Sequence, residues 1–131
     1  MSVYEISTEL AQFILEKFDS VAQLEALLLC RENPASDWSA EVVAQRLYID
    51  EKQAKEVLVR LQAQGLLGVK PVDPSQYFYD PRSPELKALV GQLAEIYSKQ
   101  LVPVTNLIHS RPKTRIQQFA DAFRLREKDK P

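Results

Sequence analysis

Apolar residues recur at spacings of three and four in the first third of the chain, which is typical of amphipathic helices. We predict a first helix over residues 3–18 and a second over residues 21–32. The second is framed by a capping-box pattern, Ser20 with Gln23, and by Pro34 after its end. The apolar stripe of the first helix is formed by Ile6, Leu10, Phe13, Ile14 and Phe18.

Two further helices are predicted to follow, joined by a tight turn. Ser39 is positioned to cap the short segment AEVVAQRL, and Asp50 with Gln53 forms a capping-box pattern before EKQAKEVLVRLQAQ. Gly65 supplies the left-handed residue that ends the longer helix. The buried face of that helix is predicted to hold Ala54, Val57, Leu58 and Leu61.

A short β-hairpin is predicted next. The sequence LLGV at 66–69 and the sequence YFY at 77–79 are rich in strand-forming residues, and the intervening KPVDPSQ contains two prolines and an Asp suited to a turn. These two strands are therefore predicted to pair as a hairpin just before the last long helix.

A long helix is predicted from Ser83-Pro84 to about Ser110, with a bend at Pro103 because proline removes one backbone hydrogen bond. Its apolar stripe extends over about 40 Å, which is more than one compact domain covers easily. We predict a two-fold homodimer through this stripe; the alternative is a kinked helix that folds back over its own core. The predicted interface consists of Leu86, Val90, Leu93, Tyr97, Leu101, Val104 and Ile108.

The composition argues against an enzyme. The three glycines do not form a phosphate-binding loop, and the chain has one cysteine and one histidine, too few for an internal disulfide or a Cys/His zinc site. We predict no catalytic residue, no metal site and no cofactor. No secretory leader and no apolar run of about 18 residues is present, so a cytoplasmic protein without membrane insertion is expected.

The stretch SAEVVAQRLYIDEKQAKEVLVRLQAQGLL resembles the helix-turn-helix of winged-helix proteins, and YFYDP lies where the second strand of the wing would return. With flanking helices, the arrangement is similar to small dimeric bacterial transcriptional regulators of the MarR and PadR type. The resemblance covers residues 20–82. It implies a mainly α winged helix-turn-helix fold with a two-stranded β wing, an N-terminal helix and a long kinked C-terminal helix.

The resemblance also implies binding of double-stranded DNA, with the recognition helix 51–64 in the major groove and the wing 69–77 on the backbone. Lysines at 52 and 55 suit phosphate or guanine, the glutamine at 53 suits an adenine edge, and the helix terminus at Ser39 suits a phosphate. Lys70 and Arg82 are candidates for backbone or minor-groove contacts. The full candidate set is Ser39, Lys52, Gln53, Lys55, Arg60, Lys70 and Arg82.

The charge balance keeps a second interpretation open. The chain has 17 Lys and Arg against 18 Asp and Glu, for a net charge of −1, and residues 37–82 carry six cations and seven acids. A winged helix that binds a protein partner instead of DNA is the alternative.

The chain is divided into four parts by these patterns: an N-terminal helix at 1–19, the winged helix-turn-helix at 20–82, a dimerisation helix at 83–110 and a basic amphipathic arm at 111–131. The first 30 residues carry a net charge of −4 and the arm carries +4. The arm is predicted either to dock on the acidic N-terminal helix or to reach nucleic acid.

Overall fold

The computed structural model describes residues 6–109, which form helices and one small sheet. In chain order the elements are α1 (Thr8–Lys17), α2 (Val21–Glu32), α3 (Ala40–Leu47), α4 (Glu51–Ala63), β1 (Leu67–Val69), β2 (Tyr77–Tyr79) and α5 (Pro84–Lys99), followed by a helical segment at 101–109. The order α2–α3–α4–β1–β2 is that of a winged helix-turn-helix, so the predicted fold class is confirmed. The predicted arm at 111–131 lies outside the described residues.

Each of the helices α1 to α5 begins at a side chain that accepts a backbone hydrogen bond from its first turn. Such caps contribute about 1 kcal/mol each, which explains why the predicted helix starts were accurate. The predicted start was inaccurate only for α1, which begins at Thr8 and not at residue 3, because its cap is Ser7. The capping side chains are Ser7, Ser20, Ser39, Asp50 and Ser83.

The helix-turn-helix is formed by α3 and α4, and the turn between them contains a left-handed residue. Tyr48 has φ 58° and ψ 44°, and the backbone N–H of Ile49 donates to the carbonyl oxygen of Ala44 at 3.1 Å. On α4, the predicted buried face is confirmed: Ala54, Val57, Leu58 and Leu61 are buried.

The wing is an antiparallel pair in which Leu67 faces Tyr79 and Val69 faces Tyr77. Position 68 requires glycine because the Phe78 ring occupies the space of a side chain: a Cβ here would lie 2.5 Å from the ring Cζ atom. On its other edge, β2 is bridged by Trp38, since the backbone N–H of Trp38 donates to Tyr77 O and the N–H of Tyr77 donates to Trp38 O, both at 2.7 Å.

One hydrophobic core joins the winged helix to the flanking helices. Phe18 after α1, Leu27 of α2, Leu58 of α4, Leu93 of α5 and Ile108 of the terminal segment are all fully buried in the same cluster. The first and last described helices are therefore packed on the helix-turn-helix and share its core.

The helix predicted over 83–110, with a bend at Pro103, is interrupted at one residue within the described part of the chain. Helix α5 ends at Lys99, and Gln100, with φ −129° and ψ 54°, separates it from the segment 101–109. Pro103 lies in the first turn of the new segment, so the interruption falls three residues before the predicted bend, next to Lys99, whose carbonyl oxygen lacks the bond that a proline cannot donate.

The predicted dimer stripe is largely covered by the chain itself. Val90, Leu93, Val104 and Ile108 have no exposed surface, so they offer nothing to a second copy, and the folded-back alternative accounts for them. Of the remaining predicted interface residues, Leu86 and Tyr97 are half-buried and Leu101 is 53% exposed.

Candidate nucleic-acid interface

The first two turns of α4, the beginning of α3 and the turn of the wing surround an open cleft of about 580 Å³. Three of the predicted DNA-binding residues, Ser39, Lys52 and Lys55, line this cleft together with Ser75 of the wing turn. Groups from α3, α4 and the wing turn thus meet at one cleft. In the sequence, only the resemblance to winged-helix proteins implied that these three parts lie together.

The two lysines are exposed because the opposite side of α4 is buried in the core. Within residues 6–109, neither ammonium group lies within 4 Å of a carboxylate. The Lys55 ammonium lies 5.9 Å from the centre of the Tyr77 ring, a cation–π distance that orients it towards the wing. Both charges are available to an anion that enters the cleft.

The beginning of α3 adds a helix terminus to the same cleft. The Ser39 hydroxyl oxygen accepts a hydrogen bond from the backbone N–H of Val42 at 3.2 Å, so this hydroxyl is engaged as a cap. At this position the site therefore gains the positive end of the α3 helix dipole, and not a free hydroxyl group.

Carboxylates also line the cleft. Glu41 in the first turn of α3 and Glu51 at the start of α4 are exposed beside the two lysines. An anion approaching Lys52 therefore meets negative charge nearby, and the cleft is mixed in charge and not basic throughout.

Arg60 and Gln53 lie apart from this cleft. The Arg60 guanidinium is paired with the Asp19 carboxylate at 2.5 Å, which ties the second half of α4 to the junction of α1 and α2. Gln53, although exposed near the start of α4, lines a separate cleft with Asp19 and Arg60.

Lys70 and Arg82 are engaged elsewhere. The Lys70 ammonium lies 3.5 Å from an Asp37 carboxylate oxygen and 5.3 Å from the centre of the Phe78 ring. The backbone N–H of Arg82 donates to the Gly65 carbonyl oxygen at 2.7 Å, and its side chain lies against Gly65. The structure does not place either residue in the cleft of Lys52 and Lys55.

Four residues that line the cleft were not predicted: Ala40, Glu41, Glu51 and Ser75 of the wing turn. Tyr77 is not a lining residue, but the centre of its ring lies 5.9 Å from the Lys55 ammonium. Alternation along β2 places residues 77 and 79 on one face of the hairpin, so the sequence contained a signal for Tyr77. Ser75 had none, because the path of a turn depends on its tertiary setting.

The described residues offer little for catalysis. Cys30 is buried, and burial raises the pKa of its thiol to about 12, so it stays protonated at neutral pH and is a poor nucleophile. Within residues 6–109, no three His, Cys, Asp or Glu side chains are grouped to hold a metal ion. No helix in this range is long and apolar enough to cross a membrane.

Comparison with known proteins gives a structural likeness but no sequence match. No protein-family model matches the chain, and no curated protein sequence matches it. Among solved structures, the chain is similar to Lactococcus lactis ZitR, solved as a point mutant, with 18% identity and a TM-score of 0.45 over 81% of this chain and 73% of that one. The winged-helix assignment rests on the elements of the chain itself.

Proposed function

We propose that this protein is a non-enzymatic, DNA-binding transcriptional regulator that inserts α4 into the major groove. The observation that carries the proposal is the cleft in which Lys52 and Lys55 lie exposed, next to the beginning of α3 and the wing turn. In the winged-helix docking mode, the first turns of the recognition helix face the base edges while the helix before it lies on the backbone.

The contacts can be assigned by chemistry. Lys52 and Lys55 bind phosphates or guanine edges, and the start of α3 at Ser39 faces a phosphate. Gln53 reaches an adenine edge from the neighbouring side of α4. Lys70 binds the backbone only after leaving Asp37. Arg60 and Arg82 stay outside the proposed interface, because they are held by Asp19 and against Gly65.

A homodimer is part of the proposal, since helix-turn-helix proteins read two half-sites about one DNA turn apart. The surface available for it lies at the start of the terminal helical segment, where Leu101 is 53% and Val102 is 64% exposed. These two residues replace the covered part of the predicted stripe as the candidate contact.

The second candidate function is a winged-helix module that binds a protein. It is favoured by the carboxylates of Glu41 and Glu51 in the cleft and by exposed apolar side chains on the same helix pair. Tyr48 is 94% exposed, Val59 45% and Val42 40%, and such side chains contribute more to protein interfaces than to phosphate contacts.

The two functions are separated by gel-shift titration of a mixed-sequence duplex at several salt concentrations. DNA binding predicts an affinity that falls steeply with salt, because each phosphate contact releases counterions. In the double variant Lys52→Glu plus Lys55→Glu, binding should be lost, or its slope against log salt should be shallower by about 2.

The matched control is Lys87→Glu plus Lys99→Glu on α5, which changes the net charge equally but lies away from the cleft. It should retain most of the affinity. Absence of binding by the wild-type protein at low salt would reject the DNA proposal. If the α4 variant and the control lose affinity equally, only bulk charge is involved and the recognition helix is misassigned.

A further inference from the structure

A second cleft, of about 450 Å³, lies on another side of the molecule between α2, α5 and the turn after α3. It contains none of the residues assigned to DNA contact. Its walls combine leucine side chains with two carboxylates, two guanidinium groups and two phenols. The cleft therefore combines apolar walls with a few polar groups of both charges, as small-molecule sites do.

The two charged ends of the cleft can be located from contacts across it. At one end the Tyr97 hydroxyl of α5 donates to a Glu25 carboxylate oxygen of α2 at 3.2 Å. Towards the other end Arg31 of α2 lies beside α5 at Gly91, where a Cβ would be 3.7 Å from the guanidinium. The helices are therefore antiparallel along the cleft. Glu25 and Arg31 are six residues apart, about 9 Å along α2.

The middle of the cleft is apolar. Leu28 lies midway between Glu25 and Arg31 on α2, and Ala94 lies midway between Gly91 and Tyr97 on α5. The small alanine side chain leaves room between the two helices. The cleft thus presents a carboxylate, an apolar floor and a guanidinium in that order.

The guanidinium groups of Arg31 and Arg46 can bind an anion in the cleft. Within the described range, neither Arg31 nor Arg46 lies within 4 Å of a carboxylate, although Glu32 lines the same end of the cleft. Arg31 lies close enough to the Tyr79 hydroxyl to oppose the rise in the tyrosine pKa that burial causes. The buried Tyr79 hydroxyl is therefore a polar neighbour of Arg31, whereas no carboxylate lies within 4 Å of the guanidinium among the described residues.

We propose that this cleft binds a small zwitterion whose ammonium group and carboxylate are separated by a short apolar spacer. The carboxylate of the ligand lies at Arg31, the ammonium group lies at Glu25 beside the Tyr97 hydroxyl, and the spacer covers Leu28 and Ala94. An α-amino acid without further charge does not fit this arrangement, because its two charges are only a few bonds apart.

Binding at this cleft has a built-in reporter. The Arg46 guanidinium, which lines the cleft, lies 5.5 Å from the centre of the Trp38 ring, and Trp38 is the only tryptophan of the chain. A ligand that displaces or polarises Arg46 changes the surroundings of the indole ring and its fluorescence.

The test is titration of the full chain with 6-aminohexanoate, followed by calorimetry and by Trp38 fluorescence. Hexanoate and hexylamine carry the same spacer with one charge each. We expect saturable binding of 6-aminohexanoate and at least tenfold weaker binding of the other two. Equal binding of hexanoate would show an anion site only, and absence of saturable heat with 6-aminohexanoate would overturn the proposal.

Two variants locate the site. Arg31→Gln and Glu25→Gln should each weaken binding of 6-aminohexanoate at least tenfold, and Glu25→Gln should bring its affinity close to that of hexanoate. Arg60→Gln, which removes a guanidinium outside the cleft, is the control and should bind normally. If both cleft variants remain folded by circular dichroism and bind like the wild type, the site is wrong, whatever the outcome of the DNA experiments.

Discussion

At the scale of single residues, Tyr48 stands out among the described residues as the one non-glycine residue with a positive φ. It ends α3 with φ 58°, a region where an L side chain brings Cβ close to the following carbonyl oxygen at a cost of roughly 1–2 kcal/mol. The side chain is 94% exposed and recovers little of that cost by packing. Glycine is absent from the turn, so no sequence signal marked it, whereas Gly65 was correctly predicted as left-handed, with φ 79°.

We expect Tyr48→Gly to raise the free energy of unfolding by about 0.5–1 kcal/mol, because relief of the strain exceeds the entropy that glycine adds to the unfolded chain. Urea denaturation measures the change. Tyr48→Ala keeps the Cβ atom and should stay close to the wild type. A less stable glycine variant would show that the exposed phenol ring contributes contacts that outweigh the strain.

Exposure of site residues was predictable, but their partners were not. The helical spacing of α4 correctly placed Lys52 and Lys55 on its solvent side, since burial follows from local periodicity. That Arg60 pairs with Asp19, and Lys70 with Asp37, depends on residues far away in the chain. Periodicity contains no information about such pairs.

At the scale of elements, the turn between α1 and α2 is fastened to the end of α4 by two glutamines. The Gln23 side chain, only 1% exposed, accepts from the N–H of Asp19 at 2.9 Å and donates to Lys17 O at 2.7 Å and to the Gln64 side chain at 3.1 Å. Gln64 also donates to Lys17 O, at 2.8 Å. The sequence identified Gln23 as part of a cap but not as a link between elements.

We expect Gln23→Leu to lower the free energy of unfolding by about 1–3 kcal/mol, because it removes the part-buried hydrogen bonds that the Gln23 side chain makes with Asp19 N–H, Lys17 O and the Gln64 side-chain oxygen. Thermal and urea unfolding measure the loss. Gln12→Leu is the matched control: its side chain bonds Glu16 on the exposed face of α1, and it should change stability by less than about 0.5 kcal/mol. Equal effects would mean that the buried network contributes no specific stability.

Most elements were predictable because their ends are encoded locally by capping side chains and glycine. The interruption at Gln100 was predicted only as a bend, from Pro103. The apolar spacing continues through it, from Leu93 and Tyr97 to Leu101 and Val104, so periodicity favoured one helix. The burial of Val104 and Ile108 in the chain's own core is a tertiary feature that no local pattern expresses.

At the scale of the whole molecule, the apolar stripe of the C-terminal region is covered by the chain's own core. A hydrophobic pattern tells which side chains are buried, but not which surface buries them. The sequence therefore predicted a homodimer for residues that a folded-back chain also covers. The apolar surface that α5 and the following segment leave exposed is small and lies at Leu101 and Val102.

We expect light scattering at micromolar concentrations to give the mass of a dimer, and Leu101→Lys plus Val102→Lys to shift it to the monomer, because two charges would enter the contact. Val72→Lys changes a still more exposed valine, in the wing, and should leave the mass unchanged. A monomer mass for the wild-type protein at every concentration would remove the homodimer from the proposed function.

The bridge between Trp38 and Tyr77 determines how the molecule opens. Their two mutual hydrogen bonds join the chain just before α3 to the second wing strand, so α3, α4 and β1 lie within one closed loop. Both hydrogen bonds of the bridge are lost when β2 detaches from the chain before α3. We therefore expect the amide protons of Trp38 and Tyr77 to exchange through the same opening event, which hydrogen exchange measures.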